Sequence, residues 1–290
     1  MNDAAPPRRI WLCADDYGLS PGVNRAIRDL IERRRINATS VMMVGPAIGG
    51  DESRALIDVA GTDCAIGLHA TLTAPFHPLT MPFRPMEGGM FLPLAKKLRS
   101  SLLRRHDRDI IRAELGAQLA AFCQAFGRPP DYVDGHQHVQ LFPQVRDAFL
   151  DAVKATAPNA WVRQCGRSQR LGQPKALLLD MLSREFRARA VRAGIAFNPG
   201  FAGAYDFSRE TDFGDRMREF LDGLPNGGLI MCHPGFVDDT LVRLDPLTHQ
   251  REREHAFLTS NAFPDLLRAS HTVFMQHGAT APPDRALTEI

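Results

Sequence analysis

WLCADDYGLSPGVNRA, residues 11–26, runs from an apolar segment through two adjacent carboxylates into a turn and the start of a helix. Residues 9–14 form a short apolar strand, Gly18 permits the turn, Ser20 can cap, and Pro21 suits a first helical turn. Asp15 and Asp16 therefore stand at the carboxyl end of a first strand, the edge where α/β folds bind ligands and do chemistry. Ordinary capping and loop solvation also produce an Asp pair before a turn, so the pair gains its meaning from a second stretch. YVDGHQHVQLFP, residues 132–143, alternates Asp134, His136 and His138 along an expected strand, which puts three metal-competent side chains on one face.

The strand–helix rhythm continues from there. Residues 22–35 have helical spacing through Val23, Ile27, Leu30 and Ile31; residues 37–44 read as a second strand, 51–59 as a short helix, and 65–73 as a third strand carrying His69. Residues 74–106 break the rhythm with Pro75, Pro78, Pro82, Pro85, Pro93, Gly88 and Gly89, an irregular insertion at the edge where insertions shape a substrate cleft. An amphipathic helix over 109–126 ends at Gly127 and Pro129, strand four follows at 132–139, and a helix at 145–153. Strand five is expected at 160–165, a helix at 175–193, and a short segment at 195–198 leads into PGFAGAYDFS. A helix at 213–221, a late strand at 228–232 ending at His233, helices at 251–257 and 263–269 and a last strand at 271–276 complete the series.

Seven or eight parallel units of this kind predict an α/β fold, a TIM-like (β/α) barrel, complete or incomplete, in a single domain over residues 1–278 with a disordered tail at 279–290. No G-x-G-x-x-G follows a strand and no Walker motif occurs, which argues against the dinucleotide and P-loop classes. With 44% hydrophobic and 23% charged residues, the 290-residue chain can bury a substantial core. A net charge of +2 with dispersed basic residues argues against a nucleic-acid partner. Five cysteines without a C-x-x-C pair read as buried free thiols in a reducing compartment. The N-terminal MNDAAPPRRI lacks a hydrophobic signal core, and no later segment has 18 uninterrupted apolar residues. The expectation is a cytoplasmic protein without an integral membrane segment, assembled as a homodimer.

A barrel brings Asp15, Asp16, His69, Asp134, His136, His138 and His233 to one mouth. Two imidazoles and one carboxylate with an open position make a hydrolytic divalent-metal site. A remaining carboxylate can take a proton from water, and a separate His can protonate a leaving group. Each residue alone has a plainer explanation: His69 as a core histidine, His136 and His138 as a lone H-x-H, His233 in MCHPGF as part of a turn. His77, His106, His249, His255, His271 and His277 fall in loops or helices and are given no site role.

ADDYGLSPGVNRAI, GLHATLT, DGHQHVQLFP and MCHPGF, in this order and spacing, resemble the motif series of the YdjC-like carbohydrate deacetylases, the family that includes chitooligosaccharide and hopanoid-associated deacetylases. The resemblance runs from strand one to about Phe263. It implies a barrel-like fold and metal-dependent removal of acetyl from an N-acetylated amino sugar, carried on an oligosaccharide or a glycolipid. By position it implies Asp16, His69 and His136 as ligands of one divalent metal ion, Asp15 as general base and His233 as general acid. Zinc suits the mixed nitrogen and oxygen set, with magnesium as the alternative. Substrate contacts are expected from His138, Asp134, Arg163, Phe201 and Tyr205, with Arg163 or Arg167 alternatively orienting Asp15 and with core packing as the more common role of residues such as Phe201 and Tyr205. Chitooligosaccharide-type members tend to carry a longer histidine run in the motif of strand four, where this chain has Gln137 and Gln140. The competing classes are a metal-dependent amidohydrolase or phosphoesterase, in which H-x-H usually follows the first strand, and a non-catalytic carbohydrate-binding relative, which needs neither Asp15 nor His233.

Overall fold

The computed structural model describes residues 5–166, 174–207 and 211–276. In chain order its elements begin with β1 (Arg8–Tyr17), α1 (Pro21–Glu32), β2 (Ala38–Val41), α2 (Gly50–Ala60) and β3 (Ala65–Ala70). The insertion holds β4 (Met86–Glu87), β5 (Met90–Phe91) and α3 (Leu94–Leu102), and is followed by α4 (Arg108–Phe126) and β6 (Tyr132–Gly135). Then come α5 (Val145–Thr156), β7 (Trp161–Val162), α6 (Pro174–Ala193), β8 (Phe201–Ala202), α7 (Phe213–Leu221) and β9 (Leu229–Cys232). The chain finishes with α8 (Asp239–Leu244), α9 (His249–Thr259), α10 (Ala262–Ala269) and β10 (Thr272–Phe274).

Seven parallel strands run in the order β7-β6-β3-β2-β1-β9-β8, and β10 pairs with β1 as an eighth. β1 is the spine: Arg8–Ile10 face β10, Trp11–Ala14 face β9, and Cys13 and Ala14 face β2. The sheet curls until its edges meet, through a bridge between Val162 and Phe197 and a 2.8 Å bond from Val162 N–H to Ala196 O. This is the TIM-like α/β architecture expected, with helices covering a sheet whose strands are buried on both faces. Leu12, Cys13, Ala14, Ala38, Val41, Ala65 and Leu68 are all within 1% of complete burial.

The first strand-to-helix turn forms as its residues dictate. Gly18 takes φ +97°, a conformation that carries a steric penalty for any side chain. Ser20 Oγ accepts from Val23 N–H at 3.2 Å, Pro21 opens α1, and Val23, Ile27, Leu30 and Ile31 are buried against the sheet. Gly127, at φ 67°, ends α4 in the left-handed conformation.

The element boundaries differ from the expectations in several places. β1 does not stop before the carboxylates but runs to Tyr17, because Asp15, Asp16 and Tyr17 are buried and paired although polar. The fourth strand ends at Gly135, and residues 136–141 turn as a 3₁₀ segment with Gln137 and His138 at φ 54° and 58°. His136 and His138 therefore do not extend a strand face. The insertion is not irregular throughout: Gly88 and Gly89, both at positive φ, turn the β4–β5 hairpin, and α3 follows Pro93. Several strands are shorter than read, with β2 ending at Val41, β3 at Ala70 and β7 confined to two residues. α8 was not expected. Arg167 and the 279–290 tail lie outside the described residues. Among the described residues no helix is long and apolar enough to cross a membrane, and the five cysteines are free thiols.

Candidate active site

The pairing of β1 with β2 shifts register between Ala14 and Tyr17, a bulge in which Asp16 takes φ 72°. Adjacent carboxylates consequently diverge. Both oxygens of Asp15 accept from the Arg163 guanidinium at 2.6 Å, and Ser40 Oγ donates to Asp15 Oδ1 at 3.3 Å. Asp16 Oδ1 lies 3.0 Å from His136 Nδ1 and 3.3 Å from His69 Nε2, while its Oδ2 accepts from Arg251 Nη2 at 2.7 Å.

Strand register sets the next layer. His69 on β3 stands opposite Asp134 on β6 and donates from Nδ1 to Asp134 Oδ1 at 2.6 Å, which turns Nε2 toward Asp16. A carboxylate behind a histidine in this way fixes the ring and raises its strength as a ligand. His136 reaches the same place from the tight turn after β6. The two imidazoles meet edge to face at 5.4 Å, and Phe76 of the insertion stands edge-on to His136 at 5.8 Å. One ligand atom each from Asp16, His69 and His136 lie within 4.8 Å of one another, all three residues buried.

The charges decide what such a site would hold. Burial alone would raise the Asp16 carboxyl, but Arg251 and His136 hold it well below the usual range; Arg163 does the same for Asp15. Burial alone would lower His69, yet the carboxylates of Asp134, Asp15 and Asp16 lift it to about 10. Three buried carboxylates stand against two buried guanidinium groups, so the pocket has a net negative field once the imidazoles are neutral. Mixed N and O donors in that field fit one divalent cation. Cys13, Asp15 and Asp134 also converge, but there the Arg163 guanidinium itself fills the space, with Nη2 3.0 Å from Cys13 Sγ and 2.5 Å from Asp134 Oδ2.

On the other side of β1, Ala14 pairs with Cys232, so His233 leaves β9 one residue past the point level with Asp15's neighbour. Its backbone N–H donates to Glu254 Oε2 at 2.5 Å, and Tyr205 Oη donates to Glu254 Oε1 at 2.6 Å. His233 Nδ1 is buried with no hydrogen-bond partner among the described residues, and burial lowers the ring's pKa. Burial raises Glu254 to about 7.

The expected substrate contacts divide. Asp134, Arg163 and Phe201 are at most 1% exposed: Asp134 is committed to His69, Arg163 takes the alternative expected of it and holds Asp15, and Phe201 packs in the core. His138 is half-buried, with Nδ1 3.4 Å from Cys165 Sγ and its ring edge-on to Phe201; burial and Arg163 lower it to about 3, a neutral imidazole at the mouth. Tyr205 is half-buried with its hydroxyl committed to Glu254. Phe207 stands edge-on to His233 at 5.3 Å. Arg251 and Glu254, both fully buried, escaped sequence reading. With Leu258 they follow the i, i+3, i+7 spacing of a core-facing stripe, and charge on such a stripe was the available signal.

Residues 9–269 match the family described as YdjC-like protein. The chitooligosaccharide deacetylase of Serratia marcescens is 29% identical over 235 residues, spanning 79% of this chain and 83% of that one. The chitooligosaccharide deacetylase of Escherichia fergusonii is 26% identical over 254 residues, spanning 87% and 91%. Among solved structures, a protein of Enterococcus faecalis V583 provisionally named a cellobiose-phosphate cleavage protein superposes with a TM-score of 0.71 at 18% identity, covering 93% of this chain and 98% of that one. That likeness is one of fold.

Proposed function

The chain belongs to the YdjC-like protein family, and from that premise we propose that it is a metal-dependent carbohydrate N-deacetylase, which hydrolyses the acetamide of an N-acetylated amino sugar on an oligosaccharide or a glycolipid and releases acetate. The observation that carries this reading is the convergence of Asp16, His69 and His136 beside Asp15, with His233 leaving the neighbouring strand. The names of the two bacterial relatives agree with it.

An amide carbonyl is a poor electrophile and an amine a poor leaving group, so the reaction needs polarisation at one end and a proton at the other. A divalent ion held by Asp16, His69 and His136, zinc before magnesium, would supply the Lewis acidity that polarises the carbonyl and activates water. Asp15, kept ionised across the neutral range by Arg163, accepts the proton of the attacking water. His233 delivers a proton to the departing nitrogen; burial lowers its pKa, which favours giving the proton up, and the proton that Asp15 takes from water makes good the one transferred. Arg163 and Asp134 act through others, aligning Asp15 and His69.

The test pairs acetate release from N-acetylglucosamine oligomers and glycolipids with metal analysis of the purified protein. Wild type is expected to release acetate and carry about one zinc, and His69→Ala and His136→Ala to lose both together. Asp15→Asn should keep its metal yet fall on the order of 10²-fold in kcat. Stoichiometric metal in both histidine variants, or full activity in Asp15→Asn, sinks the reading.

A further inference from the structure

The insertion at residues 74–106 concentrates two surface properties that the deacetylase reading does not use. It holds five exposed cations, Arg84, Lys96, Arg99, Arg104 and Arg105, against a single carboxylate, Glu87, an excess of four positive charges where the whole chain has an excess of two; a sixth, Lys97, is buried. It also holds Leu79, Met81, Leu94, Leu102 and Leu103, five of the eleven large hydrophobic side chains exposed among the described residues, with Met81 91% exposed. Single exposed leucines are ordinary; a cluster of them among cations is not.

The local structure explains why they stay outside. α3 turns Lys97 and Ser101 inward, Leu94, Leu98 and Leu102 form the adjoining i, i+4 stripe, and Lys96, Arg99 and Leu103 lie on the remaining exposed arc. Lys97 Nζ sits over the Phe83 ring at 5.3 Å, and Phe83 packs edge to face on Phe91, which ties the 79–84 loop and the hairpin to the helix as one unit. Lys96 pairs with Glu87 at 2.6 Å, whereas Arg84, Arg99, Arg104 and Arg105 have no ion pair among the described residues.

We propose that this face of the insertion docks on an anionic lipid bilayer, the leucines and Met81 entering the headgroup boundary and the unpaired arginines meeting lipid phosphates. Aliphatic side chains interleaved with cations suit a bilayer surface; a nucleic-acid groove would use the cations without the leucines, and a second copy of this chain would bring like charge against like. The inner side of the same insertion reaches the site, since Phe91 N–H donates to Phe76 O at 2.9 Å and Phe76 stands against His136. The proposal does not depend on which reaction that site performs.

Flotation of the full chain with vesicles of phosphatidylcholine alone, and with about one part in three phosphatidylglycerol, tests it. Partition onto the anionic vesicles only is expected, weakening as salt rises to about 0.5 M. Leu102→Glu with Leu103→Glu, and separately Arg104→Glu with Arg105→Glu, should each weaken it roughly tenfold or more. Both variants should keep their far-UV circular dichroism and melt cooperatively as the wild type does. Equal partition onto neutral vesicles, or partition that both variants retain, overturns the proposal. So does a wild type that binds no vesicle and instead forms a dimer, or an oligonucleotide complex, that the leucine variant abolishes.

Discussion

Arg163 and Arg251 are both fully buried, and each is bonded to one member of the Asp15–Asp16 pair. Arg163 occupies both oxygens of Asp15 in a fork, whereas Arg251 takes only Oδ2 of Asp16 and also pairs with Asp245 at 3.0 Å, leaving Asp16 Oδ1 to face the histidines. Identical side chains are thereby given different work by their partners. Arg251→Gln keeps polarity but removes the charge that fixes Oδ2, so the carboxylate gains freedom to turn from the histidines. Zinc affinity measured by chelator competition should fall 10- to 100-fold, as for other partners of metal ligands. A variant that loses thermal stability but binds zinc as tightly as wild type would show Arg251 to be structural only. Arg163 was legible as a residue that could orient Asp15, because it follows a strand that ends at the same edge, and both its terminal nitrogens do so; Arg251 was not, because an Arg on a polar helix looks solvated until the fold places a carboxylate against it.

At the scale of elements, helices were the most legible features: α4 and α7 come out within a residue of their periodic pattern, since caps and apolar spacing agree. The turn after β6 was not legible. D-x-H-x-H has the alternation of a strand, and the left-handed Gln137 and His138 have no glycine to mark them. α3 shows a third case, a lysine on the inward face of a helix whose pattern is otherwise amphipathic. Burial lowers Lys97 from 10.5 to about 7. Because the folded pKa lies below the unfolded one, the unfolded chain binds more protons between those two values, and this group makes stability decline as pH falls from 10.5 through 7. Lys97→Met removes that dependence while keeping the volume. Its melting temperature should exceed wild type by more at about pH 6 than at about pH 10. An equal difference at both would mean that the ammonium finds water in the folded state.

At the scale of the whole molecule, two buried asparagines hold the curled sheet where strand ladders run out. Asn37 accepts from Leu12 N–H at 2.7 Å and donates to Ile10 O and Met275 O at 3.1 and 2.9 Å, tying β1 to the chain leaving β10. Asn198 accepts from Gln164 N–H at 2.9 Å and donates to Gln164 O and Gly200 O at 3.1 and 2.8 Å, joining the two edges of the sheet. The sequence shows the number of strands but not this closure, since an Asn in a short segment reads as a turn residue. Closure matters to the site because Gln164 follows Arg163, and Arg163 N–H already donates to Val133 O at 3.1 Å beside Asp134. Asn198→Ala leaves the backbone N–H and C=O of Gln164 and the C=O of Gly200 without these partners, at a cost of about 1–3 kcal/mol for each that water fails to reach. The denaturation midpoint should drop accordingly, and amide exchange should quicken at residues 196–202 before it does in β1. Loosening there frees the Arg163 fork, so kcat should fall while zinc stays bound, the proposed ligands being carried by β1, β3 and the turn after β6. Loss of zinc in Asn198→Ala, or exchange that quickens uniformly across the sheet, would show that the edges and the metal ligands unfold as one unit and that the clasp has no separate role.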